Sequence, residues 1–221
     1  MQSLHVFDFD STLFRSPVDT PENRRKYEDC NGLPWVIDKQ TSRELTKKLG
    51  RFISMRKGFY GRPETLEPPL VPDPAPSNMF IAEVCDIFLK SKTEPETIAL
   101  ILTGRHLGLK NHVLRILSDG GLVNVHRKQS KQGEWLYESI DSNVTCLFLG
   151  ESGPAIAVDK LRRTKPCTTL DWKLWILEQY VDINHDLQII QIWEDREEHV
   201  KVFQALNEIL EQKVIVHHVT A

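Results

Sequence analysis

The chain has 221 residues, 40% of them hydrophobic and 27% charged. That length suits one large domain, or a domain carrying an inserted subdomain, and the composition excludes wholesale disorder. With 28 basic and 31 acidic residues the net charge is −3. Binding of nucleic acid by bulk positive charge is therefore excluded, although local basic patches are not. No run approaches the roughly 18 apolar residues of a membrane helix. Two acids within the first ten residues argue against a signal peptide. Cysteines 30, 85, 146 and 167 are far apart and form no C-x-x-C pair, so neither a zinc site nor a disulfide framework is expected. The expectation is a cytoplasmic protein with no membrane partner.

In chain order, 4–9 (LHVFDF) is a short apolar run that stops at acids, the pattern of a buried strand. From 41 to 57, Leu45, Leu49, Phe52 and Ile53 fall at helical spacing, with Thr41 or Ser42 as N-cap. Six prolines between 61 and 78 make that stretch a loop. A helix is expected over 79–90 and a strand over 97–102, which ends at Thr103-Gly104-Arg105. A helix over 109–117 precedes strands at 122–126, 134–138 and 144–149. The chain closes with a helix at 170–180, a strand at 187–193 ending in Glu194-Asp195, a helix at 197–211 and a strand at 213–218. Such alternation predicts an α/β fold with a mostly parallel sheet covered on both faces. Ligands in such sheets bind beyond the carboxyl ends of the strands. Asp8 and Asp10, Thr103 to Arg105, and Glu194-Asp195 would meet there.

Two carboxylates two residues apart at a strand end have two chemical uses. A hard dication such as Mg2+ binds one or two carboxylates together with water and phosphate oxygens. Alternatively, one Asp attacks phosphorus while its neighbour moves protons. Thr103 suits a phosphoryl oxygen, a lysine would offset charge in the transition state, and the later acids would complete a metal site.

These residues carry a resemblance. Asp8-Phe9-Asp10-Ser11-Thr12, Leu102-Thr103-Gly104-Arg105, Lys173 within Thr168 to Lys173, and Ile192 to Arg196 resemble, in order, motifs I to IV of the haloacid dehalogenase (HAD) superfamily. The gaps between them are 95, 70 and 22 residues. Phe9 to Pro17, Gly58-Phe59-Tyr60 with Pro63 and Leu66, and Glu194-Asp195-Arg196 with His199-Val200 are similar to the HAD domain of Swiss Army Knife RNA repair proteins. The chain departs from that pattern at Phe59-Tyr60, where the family tends to carry Trp-Trp, and over Leu122 to Gln129.

The resemblance implies a Rossmann-like HAD core in one domain over 1–221, with 15–95 as a cap-like insert after the first motif. It implies a Mg2+-dependent phosphatase. Asp8 would be nucleophile and metal ligand. Asp10 would be general acid and base, with its backbone carbonyl on the metal, and Thr103 a phosphate ligand. Lys173 is favoured over Lys165 for the lysine, and Asp195 over Glu194 as the further metal ligand. Thr12, Gly104 and Arg105 are expected at the substrate. Between Arg43 and Arg62 lie seven cationic residues and one acid. This stretch is either a solvated helix face or a nucleic-acid contact through Lys47, Lys48, Arg51 and Tyr60. Trp35, Trp135, Trp172, Trp175 and Trp193 read as packing residues. The expected substrate is a phosphorylated RNA end or a nucleotide. A small-metabolite phosphatase and a non-catalytic nucleic-acid-binding module are the alternatives.

Overall fold

In the computed structural model, which describes residues 2–35, 37–50, 59–130, 135–149, 151 and 168–220, apolar runs become parallel strands and amphipathic runs cover them. The chain begins with β1 (Gln2–Phe7), α1 (Pro21–Asn31), α2 (Lys39–Leu49), α3 (Ala82–Thr93) and β2 (Thr97–His106). It continues through α4 (Lys110–Asp119), β3 (Val125–Gln129), β4 (Trp135–Ser139) and β5 (Val144–Leu149). It closes with α5 (Thr169–Ile183), β6 (Leu187–Glu194), α6 (Glu197–Ala205) and β7 (Lys213–His218).

Five strands form one sheet in the order β5-β2-β1-β6-β7, and every pairing in it is parallel. Successive side chains of a strand point to opposite faces. In β2 this sends Ala99 and Ile101 to one side and Leu100 and Leu102 to the other. The first side packs on α3 through Val84 and Phe88 and on α4 through Val113 and Leu117. The second packs on α5 through Trp172 and Ile176 and on α6 through Phe203. The α/β reading and its Rossmann-like layout therefore hold. From β1 the chain moves outward to β2 and β5, then crosses to β6 and β7. The connections leaving β1 and β6 diverge, so a crevice opens between the carboxyl ends of those two strands.

Several local expectations need correction. The strands expected at 122–126 and 134–138 exist as β3 and β4, but they pair antiparallel with each other in a separate two-stranded sheet. The helix expected over 41–57 starts earlier, because Asp38 accepts from Thr41 N at 2.7 Å as N-cap. It stops at Leu49, where Gly50 takes a left-handed φ of 64°. Its apolar stripe is weak, with Leu49 44% exposed. Phe52 and Ile53 lie outside the described residues. The helix expected over 197–211 gives way after Ala205 to a 3-10 turn, Leu206–Glu208.

Helix α1 was not foreseen. Thr20 caps it and Pro21 opens it, but it buries little beyond Tyr27, so no apolar period marks it in the sequence. Within the expected insert, 15–95, helix α3 lies against the sheet as the crossover between β1 and β2, and Leu66, Val71 and Ala75 of the preceding segment join the same core. Part of that segment has a small core of its own, Tyr27, Trp35, Phe59 and Leu70.

Candidate active site

The first acid sits where β1 ends. Asp8 N still donates to Trp193 O of β6 at 3.0 Å, so the carboxylate is carried by the sheet itself. Asp8 is 3% exposed. Its Oδ1 accepts from Phe9 N at 2.8 Å, and its Oδ2 lies 3.0 Å from Lys173 Nζ. The chain then closes a tight turn in which Phe14 N donates to Phe9 O at 3.0 Å and Ser11 N to Phe14 O at 2.7 Å. Ser11 takes a φ of 54°, unusual for a residue with a side chain and held here by the flanking hydrogen bonds.

Lys173 comes from α5. Thr168 and Asp171 cap this helix reciprocally, which sets its first turn. Gly104, near the end of β2, lets that turn come close, since a Cβ at 104 would sit 2.8 Å from Thr169 Cγ2. Lys173 is 2% exposed and donates to Glu194 Oε2 at 2.7 Å as well as facing Asp8. His199 Nδ1, on α6, lies 3.4 Å from the same Glu194 oxygen, and Arg196 N donates to Glu194 Oε1 at 3.3 Å. One oxygen from each of Asp8, Glu194 and Asp195 lies within 4.8 Å of the others.

Charge in this cluster is unbalanced. Burial pushes Asp8 up to about 8; Lys173 opposes the shift, while Glu194, Asp10 and Asp195 add to it. Burial and the neighbouring Glu194 push Asp195 up to about 6. Glu194 moves the other way, to about 2, because the contacts from His199 and Lys173 outweigh its burial. Burial alone would depress Lys173, but the charges of Asp8 and Glu194 hold it above the ordinary lysine value. The Lys173 ammonium is shared between the buried carboxylates of Asp8 and Glu194, with the half-buried Asp195 beside them.

Residues 60–220 match a family model described as HAD domain family 1 in Swiss Army Knife RNA repair proteins. The chain belongs to that family. No curated protein and no solved structure matches it. Membership in this HAD family points to hydrolysis of phosphate esters, the chemistry to which a strand-end aspartate with a buried lysine is suited.

The donor set fits a hard dication. All three clustered groups offer carboxylate oxygen, and Asp195 Oδ1 is buried with no hydrogen-bond partner among the described residues. Glu194 is already engaged by Lys173, His199 and Arg196 N. Asp195 is thus the less engaged acid among the described residues.

Asp10 is held differently from its neighbour. Arg105 Nε lies 2.9 Å from Asp10 Oδ2, Arg105 Nη2 lies 2.7 Å from Asp10 Oδ1, and Ser16 Oγ donates to Oδ1 at 2.5 Å. Arg105 Nη1 donates to Tyr60 O and to Thr65 Oγ1, both at 2.7 Å. Arg105 is 1% exposed. Arg105, expected at the substrate, is buried against protein groups. Its donors are spent on Asp10 and on the segment between α2 and α3.

Thr103 is buried beside this pair, and its Oγ1 accepts from Arg105 N at 3.1 Å. It lies in β2, which runs on to His106, rather than beyond the strand; the pairing with β5 shifts register between Thr103 and His106. Thr12 Oγ1 is buried with no partner among the described residues. Gly104 has a packing reason, the approach of Thr169. Tyr60 stands at the site with its ring 4.9 Å from the Arg105 guanidinium. Burial, and next the charge of Asp10, raises its phenol above the ordinary value.

Phe59, in contrast, is buried against Trp35, 4.9 Å between ring centroids, and is not open to a base. Lys47 and Lys48 are exposed in the last turn of α2, and no described contact ties them to the acids. Arg51, Lys160, Arg162, Arg163 and Lys165 lie outside the described residues.

Sequence reasoning missed two partners of this site. Ser16 lay within the quoted first motif and had its signal there. Thr65, in a 3-10 turn after Arg62, had none.

Proposed function

We propose that this chain is a Mg2+-dependent phosphohydrolase that removes phosphate from nucleic-acid ends or nucleotides through an aspartyl-phosphate. The observation that carries the reading is the buried ammonium of Lys173 between Asp8 and Glu194, 3.0 Å and 2.7 Å away, at the carboxyl ends of β1 and β6. RNA ends enter the reading through the family's description.

Asp8 attacks phosphorus as its ester P–O bond breaks, and the bond pair leaves with the alcohol oxygen. Asp10 gives that oxygen a proton from Oδ2, which among the described residues accepts from Arg105 Nε. Asp10 then takes a proton from the water that attacks the aspartyl-phosphate, which frees phosphate and restores Asp8. Lys173 stabilises charge on the phosphoryl oxygens, and Thr103 and Thr12 offer them hydroxyl hydrogen bonds. Asp8, Asp195 and the backbone carbonyl of Asp10 would hold Mg2+, whose contribution is to neutralise the acids and the phosphate oxygens. The segment between β1 and α3 reaches the site through Tyr60 and Thr65 and acts as a partial cover.

Cys30, Cys85 and Cys146 are free thiols, which suits a reducing compartment, and the reading places the reaction in the cytoplasm. Among the described residues, no helix is long and apolar enough to cross a membrane.

Phosphate release from an aryl phosphate, nucleotides, sugar phosphates and end-phosphorylated oligonucleotides tests this reading. Turnover should require Mg2+, stop with EDTA and vanish in a folded Asp8→Asn variant. Normal turnover by that variant would refute the nucleophile. Faster turnover of sugar phosphates than of any oligonucleotide would turn the reading to small metabolites.

A further inference from the structure

Trp135 does not pack as the sequence predicted. Trp35, Trp172 and Trp193 are buried, but Trp135 is 50% exposed. It opens β4, and alternation along the hairpin puts Trp135, Tyr137 and Arg127 on one face. The Arg127 guanidinium stands 4.9 Å from the Trp135 ring and 5.3 Å from the Tyr137 ring. This face is held firmly at its root. Asn124 N and Nδ2 both donate to Asp141, Lys92 Nζ lies 2.8 Å from Asp141, and Tyr137 N donates to Asn111 of α4 at 3.2 Å. The ring is thus presented half open to solvent on a braced hairpin.

The same face walls a cleft of about 560 Å³, within the range of small-molecule sites. Glu67, Asp73, His112 and Arg115 line its other sides. Two chain segments run from the cleft to Arg105, the partner of Asp10. Thr65 holds Arg105, and Glu67 lies two residues further on; Gly108, three residues past Arg105, lines the cleft too. Its charged groups are paired, with His112 Nε2 2.6 Å from Glu67 and Arg115 Nη1 3.3 Å from Asp73, while His112 Nδ1 is buried with no hydrogen-bond partner among the described residues. A phosphate entering here would meet two carboxylates. A flat, uncharged ring with donor edges would meet an indole face and acceptors. Of the parts of a nucleotide, the base has that chemistry.

We propose that this cleft is a nucleobase subsite, in which a base of the phosphorylated strand stacks on Trp135 while the end phosphate reaches Asp8. The proposal deepens the phosphohydrolase reading and rests on it for the identity of the substrate. It moves substrate choice from the lysines of α2 to the β3–β4 hairpin. The Arg127 guanidinium over the ring restrains its orientation.

The test compares binding of a short end-phosphorylated RNA with that of a fully abasic strand of equal length, by fluorescence anisotropy in EDTA. Wild-type protein should prefer the intact strand by about 5- to 150-fold, the span of one base–aromatic stack. Trp135→Ala should abolish that preference and Trp135→Phe should keep most of it, with the circular dichroism spectrum of both variants matching wild type. Equal binding of the two strands by wild-type protein would overturn the subsite without any variant. So would a preference that survives Trp135→Ala. A Trp135-dependent preference in a protein that releases no phosphate would support the cleft and refute the phosphohydrolase reading instead.

Discussion

Lys173 does two jobs with one ammonium. It offsets Asp8 and Glu194 in the fold, and in the proposed reaction it meets the phosphoryl oxygens. Lys173→Ala should therefore fail on both counts. Removing one partner of a buried charge pair costs about 3–5 kcal/mol, to be read from urea unfolding. Loss of an electrostatic donor to the transition state costs roughly a hundredfold or more in single-turnover phosphate release. A variant that lost rate but no stability would show that the two carboxylates do not depend on Lys173 in the folded protein. Arg105 illustrates a different residue-scale rule. Its planar fork reaches Asp10, Tyr60 O and Thr65 together, a geometry that a lysine cannot reproduce.

Among elements, the junction of β2 and α5 positions the lysine. Gly104 passes the first turn of α5 with no side chain to spare, since an added methyl would press on Thr169 Cγ2 at 2.8 Å. A threonine in a helix has few rotamers with which to yield. Gly104→Ala should cost about 1–3 kcal/mol, as overpacking does, and should slow phosphate release by displacing Lys173. Thr169→Ser removes the methyl in question, so the double variant should recover most of the lost thermal stability. If it recovers none, the close approach is not what Gly104 serves. Helix α2 shows the opposite case. Its cap is sound, but it buries little, and its lysines stand clear of the acids.

For the whole molecule, the excess of buried acid ties stability to pH and metal. An acid whose value is raised on folding destabilises the fold as pH climbs through its unfolded value, and the cost is complete above its folded value. For Asp8, raised from 3.8 to about 8, that window is pH 4 to 8, and Asp195, raised to about 6, adds to it over the lower part. Glu194, lowered to about 2, contributes in the reverse sense, and its stabilisation is lost only as pH falls below about 4.5. Metal-free protein should therefore lose thermal stability between pH 5 and pH 8. A ligand that binds only the folded state raises stability by mass action, so Mg2+ should raise Tm more at pH 8 than at pH 5. Equal shifts at the two pH values would mean that Asp8 and Asp195 do not hold the ion.

The strands that end in acids, the order in which they come, and the lysine 22 residues before Asp195 are legible in the residues alone. Buried parallel strands read as bounded apolar runs, and a carboxylate at such an end has few structural uses, so these signals are local. Tertiary structure alone decided where Arg105 points, because its partner Asp10 is 95 residues away. It also put β3 and β4 outside the main sheet, buried Phe59 while leaving Tyr60 at the acids, and left Trp135 half in water. Each of these depends on which distant segment covers a side chain, and the period of a single segment carries no information about what lies opposite it.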